Sequence, residues 1–166
     1  MRKRTQKLTL LGVLAAMALI LSYAEAMLPP IWAAVPGIKI GLPNVLIIFV
    51  LYKFGLKEAA AVSLVRILIS AMLFGSVMTL AYSLAGGALS LVLMAILKKI
   101  GIFSTVGVSV VGGIAHNFAQ ILVAVALLGN WQIGYYMAIL VFSGTIAGIL
   151  VGILGSLTVK YVGNRV

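Results

Sequence analysis

The sequence contains no cysteine and no aspartate, and its only acidic residues are Glu25 and Glu58. Without cysteine, the chain has no disulfide, thiolate chemistry or cysteine-ligated metal. One histidine and two glutamates cannot fill a metal coordination shell, and paired carboxylates for acid–base catalysis are absent. No phosphate-binding glycine loop followed by Lys-Ser/Thr occurs either. We therefore expect no catalytic residue, no metal and no cofactor.

Charge of either sign is scarce, because 8% of the residues are charged and 64% are hydrophobic, with a mean hydropathy of +1.28. So few charges cannot cover the exterior of a soluble domain, which predicts an integral membrane protein with one transmembrane domain over 1–166. A net charge of +10 would suggest nucleic acid in a soluble protein. Here the basic residues end apolar runs, where they contact the headgroups of the lipid bilayer. We expect no nucleic-acid partner.

Apolar runs predict an all-α bundle of about six transmembrane helices. The second run is short and counts as a span only if the segment before it is partly buried. Ala24-Glu25-Ala26 could mimic a signal-peptide cleavage site, but the first run is long enough to span and more spans follow. Prolines between the first two runs predict an extended loop. The runs cover approximately 8–28, 44–52, 59–74, 78–97, 106–128 and 134–159.

The basic residues indicate which way the bundle faces. With six spans both termini share one side, and that side holds almost all the positive charge, whereas the opposite loops hold Lys39. By the positive-inside rule, both termini are cytoplasmic. The basic positions on the side of the termini are 2, 3, 4, 7, 53, 57, 98, 99, 160 and 165.

Three polar side chains lie inside the fifth apolar run. His116 and Gln120 are one helical turn apart and Asn117 lies beside them, so all three share a face. Lipid cannot satisfy their donors and acceptors, and that face must turn toward other helices or a cavity. A lone histidine of this kind is more often a satisfied core residue than a ligand contact. Its grouping with two amides favours substrate binding.

Arg66 is the most costly residue for a membrane span. It lies nine residues past Lys57, or about 14 Å along a helix, near the middle of a hydrocarbon core about 30 Å thick. Arginine at that depth requires a partner or water. Glu25 could pair with it, a ligand anion could bind its fork of donors, or both could hold. Lys39 and Asn44 lie where an outer loop over 29–44 could close the cavity, although Lys39 could also be merely solvated.

Small residues repeat on two of the predicted helices. Gly144, Gly148, Gly152 and Ser156 recur every four residues in the sixth run. Gly12 and Ala16, then Ala18, Ser22 and Ala26, form similar ridges in the first run. Such ridges let another backbone approach closely. Either packing within the bundle or docking to a separate membrane subunit would explain them.

Four segments in order resemble a known family. PGIKIGLPN (36–44), RILIS…LFGS (66–76), SLAGGALS (83–90) and HNFAQ (116–120) resemble the Gx transporters, also labelled heptaprenyl diphosphate synthase component I. That family is similar in architecture to the S components of energy-coupling factor (ECF) transporters. The resemblance implies a six-helix protein of the bacterial cytoplasmic membrane that captures a vitamin or related metabolite. It also implies a transmembrane coupling subunit and two ATPase subunits as partners, with the coupling subunit against Gly12, Ala16, Ala18 and Ser22.

The leading hypothesis is a substrate-binding membrane subunit for a small anionic or amphiphilic metabolite, such as a vitamin or an isoprenoid or quinone precursor. The predicted binding residues are Arg66, His116, Asn117, Gln120, Lys39, Asn44 and Glu25. A trans-prenyltransferase needs aspartate-rich sites for magnesium and diphosphate, so this chain cannot be a catalytic subunit. The alternatives are a non-catalytic accessory of prenyl-quinone synthesis or of an extracellular redox system, and a small transporter that couples to protons through His116 and Glu25.

Overall fold

A computed structural model describes residues 2–28 and 40–163 of the chain. Within these ranges the protein is entirely helical, which confirms the predicted all-α class with six helices. A 3₁₀ helix, Trp131–Tyr136, runs directly into the last α-helix. The α-helices are α1 (Arg2–Met27), α2 (Asn44–Lys53), α3 (Leu56–Phe74), α4 (Val77–Ile100), α5 (Thr105–Leu128) and α6 (Met137–Tyr161).

Short polar turns set the ends of the central helices. At the start of α4, the Ser76 hydroxyl accepts a hydrogen bond from the Thr79 backbone N–H and the Thr79 hydroxyl accepts one from the Ser76 N–H, which is a capping box. Gly101 ends α4 with φ = 78°, a left-handed conformation that suits glycine. Ser104 then caps the start of α5 by accepting from the Gly107 N–H. Tight turns of this kind place consecutive helices side by side and antiparallel.

Four helical segments are long and apolar enough to cross a membrane. They are Arg4–Met27, Val77–Ile100, Thr105–Leu128 and the continuous segment Trp131–Tyr161. By contrast, α2 has ten residues, or about 15 Å, and reaches only halfway across the hydrocarbon. The helix α3 has 19 residues, or about 28 Å, which is close to the thickness of the hydrocarbon core. It is not among the four apolar segments and carries the charged residues Lys57, Glu58 and Arg66.

The short helix α2 lies at the centre of the core. Every residue from 46 to 51 is buried, and Ile48, Phe49, Val50 and Leu51 are at most 1% exposed. Val108 of α5 joins them in the same apolar cluster. Because α2 is covered on all sides, its sequence shows no polar face. The second apolar run is therefore an internal helix rather than a complete span.

Glycines bring α5 and α6 into backbone contact. A Cβ added at Gly113 would lie 2.5 Å from the Gly144 carbonyl oxygen, and one at Gly148 would lie 2.6 Å from Val110 Cα. At Gly152 an added Cβ would meet Val106 Cα at 2.8 Å. Three glycines of the predicted α6 ridge thus pack inside the bundle, as small residues do between membrane helices.

Lysines tie the helix ends together on the side of the termini. Lys7 of α1 forms a salt bridge with Glu58 of α3. Lys98 donates to the Leu51 carbonyl at 2.7 Å, at the end of α2, and Lys53 donates to the Gly163 carbonyl after α6. The opposite end of the bundle holds the end of α1, the start of α2 and the α3–α4 turn. That the end with the termini is cytoplasmic remains a prediction from charge.

Candidate functional site

A cavity of about 170 Å³ lies between the helices, on the side of the bundle opposite the termini. It reaches the α3–α4 turn, where the lining residues Gly75 and Thr79 are exposed. Six of the seven predicted binding residues line it, whereas Lys39 and most of the predicted 29–44 loop lie outside the described residues. The six are Glu25, Asn44, Arg66, His116, Asn117 and Gln120. Their contact with a ligand remains a prediction.

Arg66 enters the cavity wall from the middle of α3. Its Nε atom is buried and has no hydrogen-bond partner within 2–28 and 40–163. None of its nitrogens lies within 4.0 Å of a Glu25 carboxylate oxygen, so the direct ion pair that the sequence left open does not form. Glu25 instead accepts a hydrogen bond from the Gly41 backbone N–H, which ties the end of α1 to the residues before α2. Glu25 still attracts Arg66 electrostatically within the cavity, so the two opposite charges interact without a direct hydrogen-bonded contact.

His116 and Gln120 form a pair on α5. The His116 Nε2 and Gln120 Nε2 atoms are 3.0 Å apart. The imidazole lies over Gly86 of α4, where an added Cβ would approach its Cε1 to 2.8 Å and its Nδ1 to 2.9 Å. Only a glycine leaves room for the ring there. The His116–Gln120 pair therefore lies at the cavity wall, and contacts with both α4 and α5 fix the position of the imidazole ring.

Asn117 has a structural contact as well as a place on the cavity wall. Its Nδ2 donates to the Leu140 carbonyl of α6 at 2.6 Å. A Cβ added at Gly144 would lie 2.8 Å from that Nδ2, so Gly144 provides the space that the amide occupies. Asn117 lines the same cavity as His116 and Gln120, as the sequence predicts. Its amide nitrogen, however, forms a hydrogen bond between two helices.

A set of serines that was not predicted from the sequence lines the same cavity. Ser83 and Ser90 come from α4 and Ser109 comes from α5. Ser90 and Ser109 are among the few buried polar residues, at 7% and 3% exposure. Ser83 and Ser90 are seven residues apart, which places them on one helical face, and that spacing within SLAGGALS was the available signal.

The residues predicted to face a partner subunit divide between outside and inside. Gly12 and Ala16 are exposed on α1, and nothing lies within 4 Å of a Cβ added at Gly12. Ala18 is 0% exposed, and Ser22 lines the cavity while its hydroxyl donates to the Ala18 carbonyl. Buried Ala18 is not accessible to another subunit and half-buried Ser22 lines the cavity, so Gly12 and Ala16 are the exposed members of the predicted set. The interface remains a prediction.

The cavity wall carries charged and neutral hydrogen-bonding groups. The cavity combines one guanidinium and one carboxylate with hydroxyl, amide and imidazole groups. Within the described part of the chain, His, Cys, Asp and Glu side chains do not come together in groups of three. Charge complementarity with several neutral donors and acceptors can hold a small polar anion.

An all-helical bundle with four long apolar helices around a polar cavity defines an integral membrane protein. A family model described as heptaprenyl diphosphate synthase component I matches residues 14–158, and the chain belongs to that family. The matched range includes all six cavity residues named above. A search of the curated proteins and a search of the solved structures each gave no match.

Proposed function

We propose that this chain is the substrate-binding subunit of a membrane uptake system, similar to an S component of an ECF transporter. It captures a small anionic or amphiphilic metabolite from the side opposite its termini. The observation that carries the proposal is Arg66, a cation in the middle of a membrane helix whose buried Nε has no hydrogen-bond partner among the described residues.

The depth of Arg66 in the predicted span makes its charge costly. An arginine at the centre of a bilayer costs at least about 2.5 kcal/mol, and such residues mark ligand or ion sites. Glu25 lies in the same cavity but forms no ion pair with Arg66. A carboxylate or phosphate would give Arg66 a direct anionic partner and accept from its planar fork of donors. Gln120 and His116 would then bind the neutral part of the ligand.

Transport against a gradient requires energy that this chain has no motif to provide. The sequence has no nucleotide-binding loop, so the proposal includes a transmembrane coupling subunit and two ATPase subunits. The exposed small residues Gly12 and Ala16 of α1 support this partner surface, because they allow close approach of another helix. The system would act in the bacterial cytoplasmic membrane.

The family description favours a second candidate function. As a component of prenyl diphosphate synthesis, the chain would be a non-catalytic accessory of prenyl-quinone synthesis or of an extracellular redox system, because it has no aspartate to hold magnesium and diphosphate. In that case the chain would form a stable complex with a soluble enzyme or redox protein. A ligand in the cavity would not be required.

The deciding experiment is mass spectrometry of small molecules that co-purify with the detergent-solubilised protein. The variants are Arg66→Ala and Arg66→Lys. The matched control is Lys99→Ala, which removes an exposed positive charge from the end of α4 that lies on the side of the termini, away from the cavity. We expect a ligand in wild type and Lys99→Ala, less in Arg66→Lys, and none in Arg66→Ala. A ligand that persists in Arg66→Ala contradicts the assigned site. Partner proteins without a ligand in any sample favour the accessory function.

A further inference from the structure

The serines of this protein differ in how they use their hydroxyl groups. Ser22 and Ser70 line the cavity but donate to carbonyls of their own helices, those of Ala18 and Ile67. Away from the cavity, Ser143 and Ser156 also donate to carbonyls of their own helix, whereas the hydroxyl of the buried Ser63 does not. Ser83, Ser90 and Ser109 line the cavity, and their hydroxyl groups form no hydrogen bond with any residue in 2–28 or 40–163.

This difference is informative because a helical serine has an easy way to satisfy its hydroxyl. Bonding back to a carbonyl three or four residues earlier is a common solution, and a buried hydroxyl without a partner is unfavourable. Ser90 and Ser109 are buried as residues and neither uses that route, but their hydroxyl oxygens are not among the enclosed polar atoms that lack a partner, so these hydroxyls open to the cavity. Ser90 and Ser109 come from different helices and line one cavity, so a single molecule bound there can satisfy both.

The size of the cavity limits how much of that molecule can be enclosed. Its volume of about 170 Å³ is close to that of an apolar cavity of ~150 Å³ that holds benzene. Pockets that enclose drug-sized ligands are larger, roughly 300–1,000 Å³. A chain of seven isoprene units cannot be enclosed in this space. A compact molecule of few atoms can.

The geometry points to a small hydroxylated organic anion as the ligand, and away from a prenyl chain. This inference rests on the proposed binding function and specifies its substrate class. The anionic group contacts Arg66 on α3, and hydroxyl groups exchange hydrogen bonds with Ser90 on α4 and Ser109 on α5. An apolar chain in the same position would leave those serine hydroxyls without partners.

Matched pairs of acids test the inference. The thermal unfolding of the full-length protein in detergent is measured with glycerate against propionate and with gluconate against hexanoate, which have the same chain length within each pair and differ in hydroxyl groups. Geranyl diphosphate serves as the prenyl probe. We expect at least one hydroxylated acid to raise Tm more than its plain counterpart, and more than geranyl diphosphate.

Serine variants connect that preference to the cavity. Ser90→Ala and Ser109→Ala should each weaken binding of the hydroxylated acid by about 3- to 10-fold and leave binding of the plain acid unchanged or stronger. Ser156→Ala is the control, because its hydroxyl bonds only within α6, and it should behave as wild type. Because the plain acid is measured on the same variants, a folding defect would weaken both acids and is recognised as such.

Two outcomes overturn the inference. The first is a panel in which no hydroxylated acid outperforms its plain counterpart, and the second is a preference that survives both serine substitutions. If geranyl diphosphate or a plain acid binds best and Arg66→Ala abolishes that binding, the proposed function stands while this substrate class is wrong. If no binding of any molecule depends on Arg66, the proposed function itself fails.

Discussion

The imidazole of His116 rests on the Cα of Gly86, so that a methyl group at this glycine would lie 2.8 Å from the ring Cε1 atom. The contact joins α4 to α5 at the level where His116 and Gln120 form their pair. Real Cβ atoms essentially never come so close to another atom. The glycine therefore sets where the ring lies, and through the ring it sets the shape of the cavity.

Gly86→Ala should reduce ligand binding by about tenfold, because the ring must move and its contact with Gln120 is lost. Gly87→Ala is the matched control. Its Cβ would lie 3.1 Å from Cδ1 at the flexible end of Ile67 and in ordinary contact with Ser63 Oγ at 3.7 Å, and binding should change little. Quantitative mass spectrometry of the co-purified ligand measures both. Equal effects of the two substitutions would mean that His116 does not shape the site.

Gly148→Ala should destabilise the protein by about 1–3 kcal/mol through overpacking, because its Cβ would press on backbone atoms of Val110 and Ser109. The control is Gly12→Ala on α1, where the added Cβ meets nothing within 4 Å. A glycine-to-alanine change inside a helix is otherwise stabilising by up to about 1 kcal/mol. Thermal unfolding in detergent should therefore shift in opposite directions for the two variants. A Gly148→Ala variant with unchanged thermal stability would show that α5 and α6 are less tightly packed than these short distances indicate.

Asn117→Ala should lower stability by about 0.6–2 kcal/mol, the range for hydrogen bonds between membrane helices. The Leu140 carbonyl accepts from Asn117 Nδ2 at 2.6 Å and from the Ser143 hydroxyl at 3.1 Å. Ser143→Ala removes only the bond within α6 and should cost less. Thermal unfolding of both single variants and the double variant measures the coupling. If Ser143→Ala costs as much as Asn117→Ala, the amide does not join the helices.

The absence of cysteine makes the topology directly testable. Asn130→Cys lies after α5 at the end opposite the termini, and Lys99→Cys lies in the last turn of α4 on the side of the termini; both positions are exposed. If the termini are cytoplasmic, a membrane-impermeant maleimide should label Asn130→Cys in intact cells. It should label Lys99→Cys only after the membrane is opened. The reverse pattern would refute the positive-inside assignment.

Helix positions were predictable because a helix that crosses lipid needs a long run of apolar residues. The run predicted at 106–128 is α5 over Thr105–Leu128, and the run predicted at 78–97 lies within α4 over Val77–Ile100. The cavity residues followed from the same physics, since Arg66 or His116 in a membrane helix must face inward. Strongly polar groups are costly in lipid, and that cost makes them visible in the sequence.

Other features were not predictable because they carry no such cost. Ser90 and Ser109 are neutral, and a helical serine can satisfy itself against its own backbone, so nothing in the sequence forces them to face the cavity. The residues predicted to face a partner on α1 divide for a different reason. Ala16 and Ala18 are two positions apart and lie on different faces of the helix, so Ala18 is buried while Gly12 and Ala16 are exposed. Their contact with a partner remains a prediction.

The short helix α2 also has an electrical consequence. It covers about half of the hydrocarbon thickness, and the cavity that opens beside its first residue, Asn44, reaches the exposed α3–α4 turn. With the termini cytoplasmic, as the charge pattern predicts, a solvated cavity of this depth would carry the potential of the outer solution inward, and most of the transmembrane voltage would fall across the inner half of the bundle. An anion held by Arg66 would bind with little dependence on membrane voltage. Its passage through the inner half would be the voltage-dependent step.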